Sequence, residues 1–144
     1  MGERFYHREE RKEERGFAPD FSICICASSM YVRTIKKRSE FVKLNKFGYR
    51  VRTTTLLLIC LRDEKLIGFE VGYTASKKVG KAVKRNFAKR RMRHVVLELL
   101  ANFEQKYRFV FVANTNTAEC KFSKLLSDAR YCLEKVKRKY CCAN

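Results

Sequence analysis

The stretch SKKVGKAVKRNFAKRRMRHVV, residues 76–96, holds nine Lys or Arg and no acid. Placed at ~100° per residue, Ala88, Met92, Val95, Val96, Leu99 and Phe103 fall on one arc of a helix. The spacing therefore predicts an amphipathic helix running to about Asn102, with that arc toward a core. Asn86, Lys89, Arg90 and Arg93 lie roughly opposite, at i, i+3, i+4 and i+7, and make a continuous ridge. Lys81, Lys84, Arg85 and Arg91 flank it, and Lys77 and Lys78 precede it. A solvated helix mixes signs, because Glu-to-Lys pairs one turn apart stabilise it. This segment excludes acids for 27 residues, from Val71 to Leu97. Like charges repel within a fold, and a bound polyanion relieves the repulsion. Lys and Arg engage phosphates, Asn86 adds a side-chain amide, and Gly80 keeps the backbone bare where the helix N–H groups favour an anion.

Outward from the helix, IGFEVGYTA (67–75) alternates in the strand sense. Ile67, Phe69, Val71 and Tyr73 face one way, and Gly68, Glu70, Gly72 and Thr74 form a shallow opposite face. TLLLICL (55–61) is apolar throughout, as in a strand covered on both faces. YRVRT (49–53) alternates, RDEK (62–65) is a turn, and RFVFVA (108–113) is a further buried strand. Ser39 is a cap candidate for a short helix that carries Phe41 and Leu44 and ends at Gly48. Phe122, Leu125, Leu126, Ala129, Leu133, Val136 and Tyr140 recur at helical spacing between Lys121 and Tyr140. The order α-β-β-β-α-β-α describes an α+β fold, a single-sheet α/β sandwich with helices packed on the sheet.

The chain of 144 residues has 33 Lys and Arg against 15 Asp and Glu, a formal net charge of +18. Residues 1–15 are neutral, so the excess belongs to the folded part. That favours a nucleic acid over a membrane surface, which recruits a short basic tail or amphipathic helix. The seven cysteines are odd in number and irregular in spacing, without a C-x-x-C pair, and the histidines are His7 and His94. No metal site follows; reduced cytoplasmic thiols do, several of them in the core. No apolar run approaches the ~20 residues of a membrane span. FSICICASSM (21–30) contains polar serines and follows a charge-mixed segment, so a secretory signal is not expected. Residues 1–20 alternate charge and break at Gly16 and Pro19, as in a solvated extension.

SKKVGKAVKRNFAKRRMR resembles the signature of the bacterial ribonuclease P protein component, approximately S-K-K-x-G-x-A-V-x-R-N-R-x-K-R. Ser76, Lys77, Lys78, Gly80, Ala82, Val83, Arg85, Asn86, Lys89 and Arg90 stand in matching places. KKRSEF (36–41) is similar to the family's opening helix and VGYTASKK (71–78) to its passage into the signature. The resemblance covers about residues 35–138 and implies a ribosomal protein S5 domain 2-like fold, with residues 30–144 as the ribonuclease P protein domain. Residues 1–29 have no family counterpart and are expected to form a disordered or weakly ordered extension. Met30 lies close to where family members begin. Three positions depart from the pattern: Phe87 replaces the third residue of the Arg-Asn-Arg centre, Asn45 stands where many members carry a second aromatic of the first helix, and Ile59 where some members carry one on a strand.

The resemblance implies a division of labour. The RNA subunit carries the active site, Mg²⁺ held mainly by that RNA activates the attacking water, and this chain has no catalytic residue. The protein binds the catalytic RNA through Lys77, Lys78, Lys81, Lys84, Arg85, Asn86, Lys89, Arg90 and Arg93. It holds the 5′ leader of precursor tRNA in a cleft that includes Phe41 and Thr74. Single strands are held by positive channels with aromatic platforms; Phe41 read by itself is either such a platform or ordinary core. A cytoplasmic location is implied, with no membrane and no protein partner. Two other functions compete. A ribosomal or RNA-chaperone-like module would bind RNA without processing it. A self-sufficient nuclease would need a carboxylate or histidine cluster, which the sequence does not present; His94 has no acidic or nucleophilic companion and is a surface residue.

Overall fold

The computed structural model describes residues 23–25, 30–100 and 106–141. Their elements are strands β1 (Ile23–Ile25) and β2 (Met30–Thr34), helix α1 (Arg38–Phe47), strands β3 (Tyr49–Arg52), β4 (Leu56–Arg62) and β5 (Phe69–Ala75), helix α2 (Ala82–Leu99), strand β6 (Tyr107–Ala113) and helix α3 (Phe122–Cys141). From α1 onward the order is the one the periodicity predicts. β1 and β2 are additional, and β1 lies within the segment expected as the extension. One six-stranded sheet results, in the order β1-β2-β5-β6-β4-β3.

The connections follow from the sequence locally. β3 and β4 pair antiparallel as a hairpin, with Val51 opposite Leu58, and the amide of Thr53 donates to the Leu56 carbonyl at 2.9 Å to close it. β5 and β6 are parallel neighbours, which requires a crossover, and α2 is that crossover. β2 lies parallel to β5 on its other side, so Arg33 stands beside Glu70.

The sheet is covered unequally. On one face Leu56, Leu58, Phe69, Val71, Phe109 and Phe111 pack against Ala88, Met92, Val95 and Val96 of α2 and Leu125, Ala129, Leu133 and Val136 of α3. On the other, α1 alone covers a smaller core of Ile35, Leu44, Ile59 and Val110, with Phe41, Leu57, Leu61 and Val112 at its edge. β4 therefore has apolar neighbours on both faces, the reason its sequence does not alternate.

Four local expectations differ. The N-cap of α1 is Lys37 and not Ser39, with no side-chain cap bond, so Ser39 sits in the first turn. Ile67 precedes β5 and is 90% exposed, because the strand begins only at Phe69. Phe122 opens α3 and is exposed, one turn before Leu125, where the buried stripe of the helix begins. Cys132, absent from the expected core stripe of α3, is fully buried. α2 is described as far as Leu99, and Phe103 lies outside the described residues. Among those residues no helix is long and apolar enough to cross a membrane.

Candidate nucleic-acid interface

β5 runs into a short 3₁₀ turn, Lys77–Val79. Val79 is buried and anchors the turn, which leaves Lys77 and Lys78 exposed. Gly80 then takes φ +128°, a conformation that L side chains rarely adopt, and this reverses the chain into α2. Lys81 is the N-cap; it makes no side-chain cap bond, and the first turn contains no acid. The positive end of the helix dipole therefore adds to the lysines and is not neutralised by them.

The helix is turned as its sequence requires. Ala88, Met92 and Val95 have no exposed surface and Val96 has 2%. Asn86, Arg90 and Arg93 are exposed, and Lys89 and Arg85 are half-buried. Lys77, Lys78, Lys81, Lys89 and Arg90 form no ion pair with an acid among the described residues. Arg85 Nε is buried and has no hydrogen-bond partner there. Arg93 places its guanidinium over the Tyr73 ring, 5.5 Å from the centroid. Burial raises the Tyr73 pKa and Arg93 partly opposes that, so the phenol stays neutral and the contact is a cation over a ring.

Two basic groups are engaged within the fold. Lys84 Nζ lies 3.0 Å from Glu119 Oε1. Arg91 donates to the carbonyls of Thr117 at 2.7 Å and Cys120 at 2.5 Å. Its role is to fasten α2 to the segment after β6, a role that charge counting does not reveal. That segment is fastened in turn. The amide of Asn114 donates to Thr117 Oγ1 at 2.8 Å, Thr117 Oγ1 donates to the Thr55 carbonyl, and Asn114 Nδ2 donates to the Thr53 carbonyl at 3.2 Å. Thr55 and Thr54 donate to Asp128 of α3 at 2.8 and 3.1 Å. The sequence signals of this network are the polar runs TTT, 53–55, and NTNT, 114–117, whose residue types bond to local backbone.

Phe41 and Thr74 lie across the sheet from α2. Phe41 is half-buried against β5. A Cβ built on Gly72 would lie 2.5 Å from its Cε1 and 2.7 Å from its Cζ. The face of Gly68, Gly72 and Thr74 is thus less open than its composition suggests. The Phe41 ring covers Gly72, and Gly68 is also buried. Thr74 remains half-buried beyond the ring. Glu70, on the same face, is 8% exposed. Arg108 Nε stands 2.8 Å from its Oε2 and Arg33 Nη1 4.0 Å from its Oε1, so the acid is neutralised from two neighbouring strands. The Arg108 contact is an ion pair without hydrogen-bond alignment.

The predicted residues thus occupy two surfaces, the basic ridge on one layer and Phe41 with Thr74 on the opposite face of the sheet. At the end of the sheet, an open cavity of about 680 Å³ is lined by Arg52, Thr53, Ser76, Lys78, Asn114 and Asn116 among others, and brings the basic loop beside the hairpin. Among the described residues no three His, Cys, Asp or Glu converge to hold a metal. Cys60 and Cys132 are buried free thiols; burial raises both, Cys132 to about 12, so neither is a nucleophile at neutral pH.

The basic helix α2 thus lies across the two central strands, β5 and β6, of the sheet. The family model described as Ribonuclease P matches residues 32–137. The ribonuclease P protein component of Ruegeria pomeroyi is 34% identical over 118 residues, 80% of this chain and 94% of that protein. That of Streptococcus thermophilus is 31% identical over 103 residues, 72% of this chain and 91% of that protein. The ribonuclease P protein structures from Staphylococcus aureus (TM-score 0.64, 22% identity, covering 72% of this chain and 94% of that one) and Thermotoga maritima (TM-score 0.64, 16% identity, covering 72% and 96%) share its fold. Matched in sequence over most of its length and in fold over 72% of it, this chain belongs to the ribonuclease P protein component family, the protein part of an endoribonuclease ribonucleoprotein.

Proposed function

We propose that the chain binds the catalytic ribonuclease P RNA through the loop and ridge formed by Lys77, Lys78, Lys81, Arg85, Asn86, Lys89, Arg90 and Arg93. In this reading it holds the single-stranded 5′ leader of precursor tRNA in the groove containing Phe41 and Thr74. It thereby promotes removal of the leader and formation of the mature tRNA 5′ end in the cytoplasm. One observation carries the proposal: along a helix with no acid before Glu98, Asn86, Arg90 and Arg93 are exposed while Ala88, Met92, Val95 and Val96 behind them are buried. Lys84 and Arg91 already have acceptors within the fold, so the ridge proper is the part left for phosphates.

The Mg²⁺ that activates water for such hydrolysis is assigned mainly to the RNA. The described residues offer charge and shape and no cluster of metal ligands. The protein's own work is to neutralise phosphates, orient the two RNAs and keep the leader extended. The test is precursor tRNA cleavage by a bacterial ribonuclease P RNA at low Mg²⁺, with and without the protein. Stimulated cleavage at the mature 5′ end is expected. RNA binding without stimulation would overturn the proposal and leave an RNA-binding module with no processing role. Specific cleavage by the RNA-free protein would overturn the assignment of catalysis to the RNA.

A further inference from the structure

Phe87 stands in the middle of the basic helix and is 50% exposed, and Val83, one turn earlier, is 80% exposed. An apolar pair left in water on an otherwise charged helix contributes nothing to the core. The ring is held from one side. The Arg91 guanidinium lies over it, 5.7 Å from the centroid. Arg91 is itself fixed by the carbonyls of Thr117 and Cys120 at 2.7 and 2.5 Å. A guanidinium with both terminal nitrogens so engaged is poorly placed to clamp a phosphate, and it acts as a backing plate for the ring. Arg90 is exposed one turn along the helix, and no acid lies within ten residues of Phe87 along the chain in either direction.

We propose that Phe87, backed by Arg91, is a stacking platform for one unpaired base of the RNA bound along α2. The inference rests on the RNA-binding reading of that helix and deepens it. Charge complementarity selects the occupant. An apolar protein partner would have to desolvate Arg90 and its neighbours, whereas a nucleotide offers its phosphate to Arg90 and its base to the ring. Stacking is tolerant of sequence because every base has a π-face. It would also supply affinity that does not depend on salt, unlike the ridge.

The chain contains no tryptophan, so Phe87→Trp introduces a single indole at the platform. The probe is a bacterial ribonuclease P RNA titrated at several salt concentrations against the full chain and the variants Phe87→Trp, Phe87→Leu, Phe87→Ala and Arg90→Ala. Phe87→Trp is expected to bind as the parent does, with its emission quenched on saturation. Phe87→Ala and Phe87→Leu are expected to lose roughly 5- to 150-fold in affinity with an unchanged salt slope, and Arg90→Ala to flatten the slope. Full affinity in Phe87→Leu would mean that apolar bulk and not stacking is used, and would overturn the inference, as would an unquenched indole. Failure of the parent protein to bind the RNA would overturn the reading of α2, and the inference with it. All variants are surface changes, and circular dichroism with thermal unfolding checks that each is folded.

Discussion

Gly72→Ala tests the groove at its tightest point. The new methyl would lie 2.5 Å from Phe41 Cε1, 2.7 Å from Cζ and 3.4 Å from Val110 Cγ2. Carbon atoms rest at about 3.5–4.0 Å, so roughly 1 Å of relief is needed. The backbone has little freedom to supply it. Gly72 pairs with Val110 in the middle of the parallel β5–β6 ladder, and the Val71 carbonyl accepts from the Ile35 amide at 3.0 Å on the other side. The ring must move, and being half-buried it has solvent to move into. Overpacking costs about 1–3 kcal/mol, offset by the ~0.4–1 kcal/mol that Gly→Ala gains through the unfolded chain. A net loss of about 1–2 kcal/mol is therefore expected. Phe41→Ala alone removes a half-buried ring and is expected to cost about 2 kcal/mol. In the double variant the methyl occupies space the ring has left, so the two losses should fall short of additivity by about 1 kcal/mol or more. The assay is urea unfolding of the four proteins of the cycle at constant m-value. Gly72→Ala should also raise the KM for precursor tRNA while leaving affinity for the catalytic RNA unchanged, because α2 lies across the sheet. Additivity within about 0.5 kcal/mol would show that Phe41 does not rest on Gly72. A loss of affinity for the catalytic RNA would show that the two surfaces are not separate.

Arg90→Ala is expected to leave stability within about 0.5 kcal/mol and to flatten the salt dependence of RNA binding by roughly 0.7–0.9 log units per decade. Met92→Asp, which puts a carboxylate at a position with no exposed surface, should unfold or strongly destabilise the domain in thermal unfolding; a stable Met92→Asp protein would mean α2 is turned the other way. Burial of Asp128 raises its pKa, but hydrogen bonds from Thr55 and Thr54, together with Lys124, outweigh it, and the folded value lies below the ordinary 3.8. Its contribution is thus whole above 3.8 and lost as pH falls through the lower folded value. The stability gap between the parent and Asp128→Asn in urea should accordingly shrink on acidification through that window, and a gap independent of pH would refute the assignment. A chain beginning at Met30 removes β1, which pairs only with β2 at the sheet edge; cooperative unfolding and stimulation of cleavage should survive, and loss of either would place residues 1–29 in the working domain.

The sequence by itself determined what is periodic and local. The core arc of α2 and the two covered faces of β4 follow from side-chain spacing, which acts over a few residues. The surplus of Lys and Arg was equally legible, because charge is counted and not placed. Only the tertiary structure decided which of those charges remain available. Arg91 and Lys84 look like the rest of the ridge, yet their acceptors at residues 117–120 are reached only because the strand after α2 folds back beside it. The same holds for Phe41: helical spacing places it on the apolar side of α1, but its seat on Gly72 depends on which strand lies beneath. The strand order β1-β2-β5-β6-β4-β3 is likewise absent from any local pattern. Parallel pairing joins segments far apart in sequence, and loop-closure entropy and burial select among partners that each strand's own residues do not name.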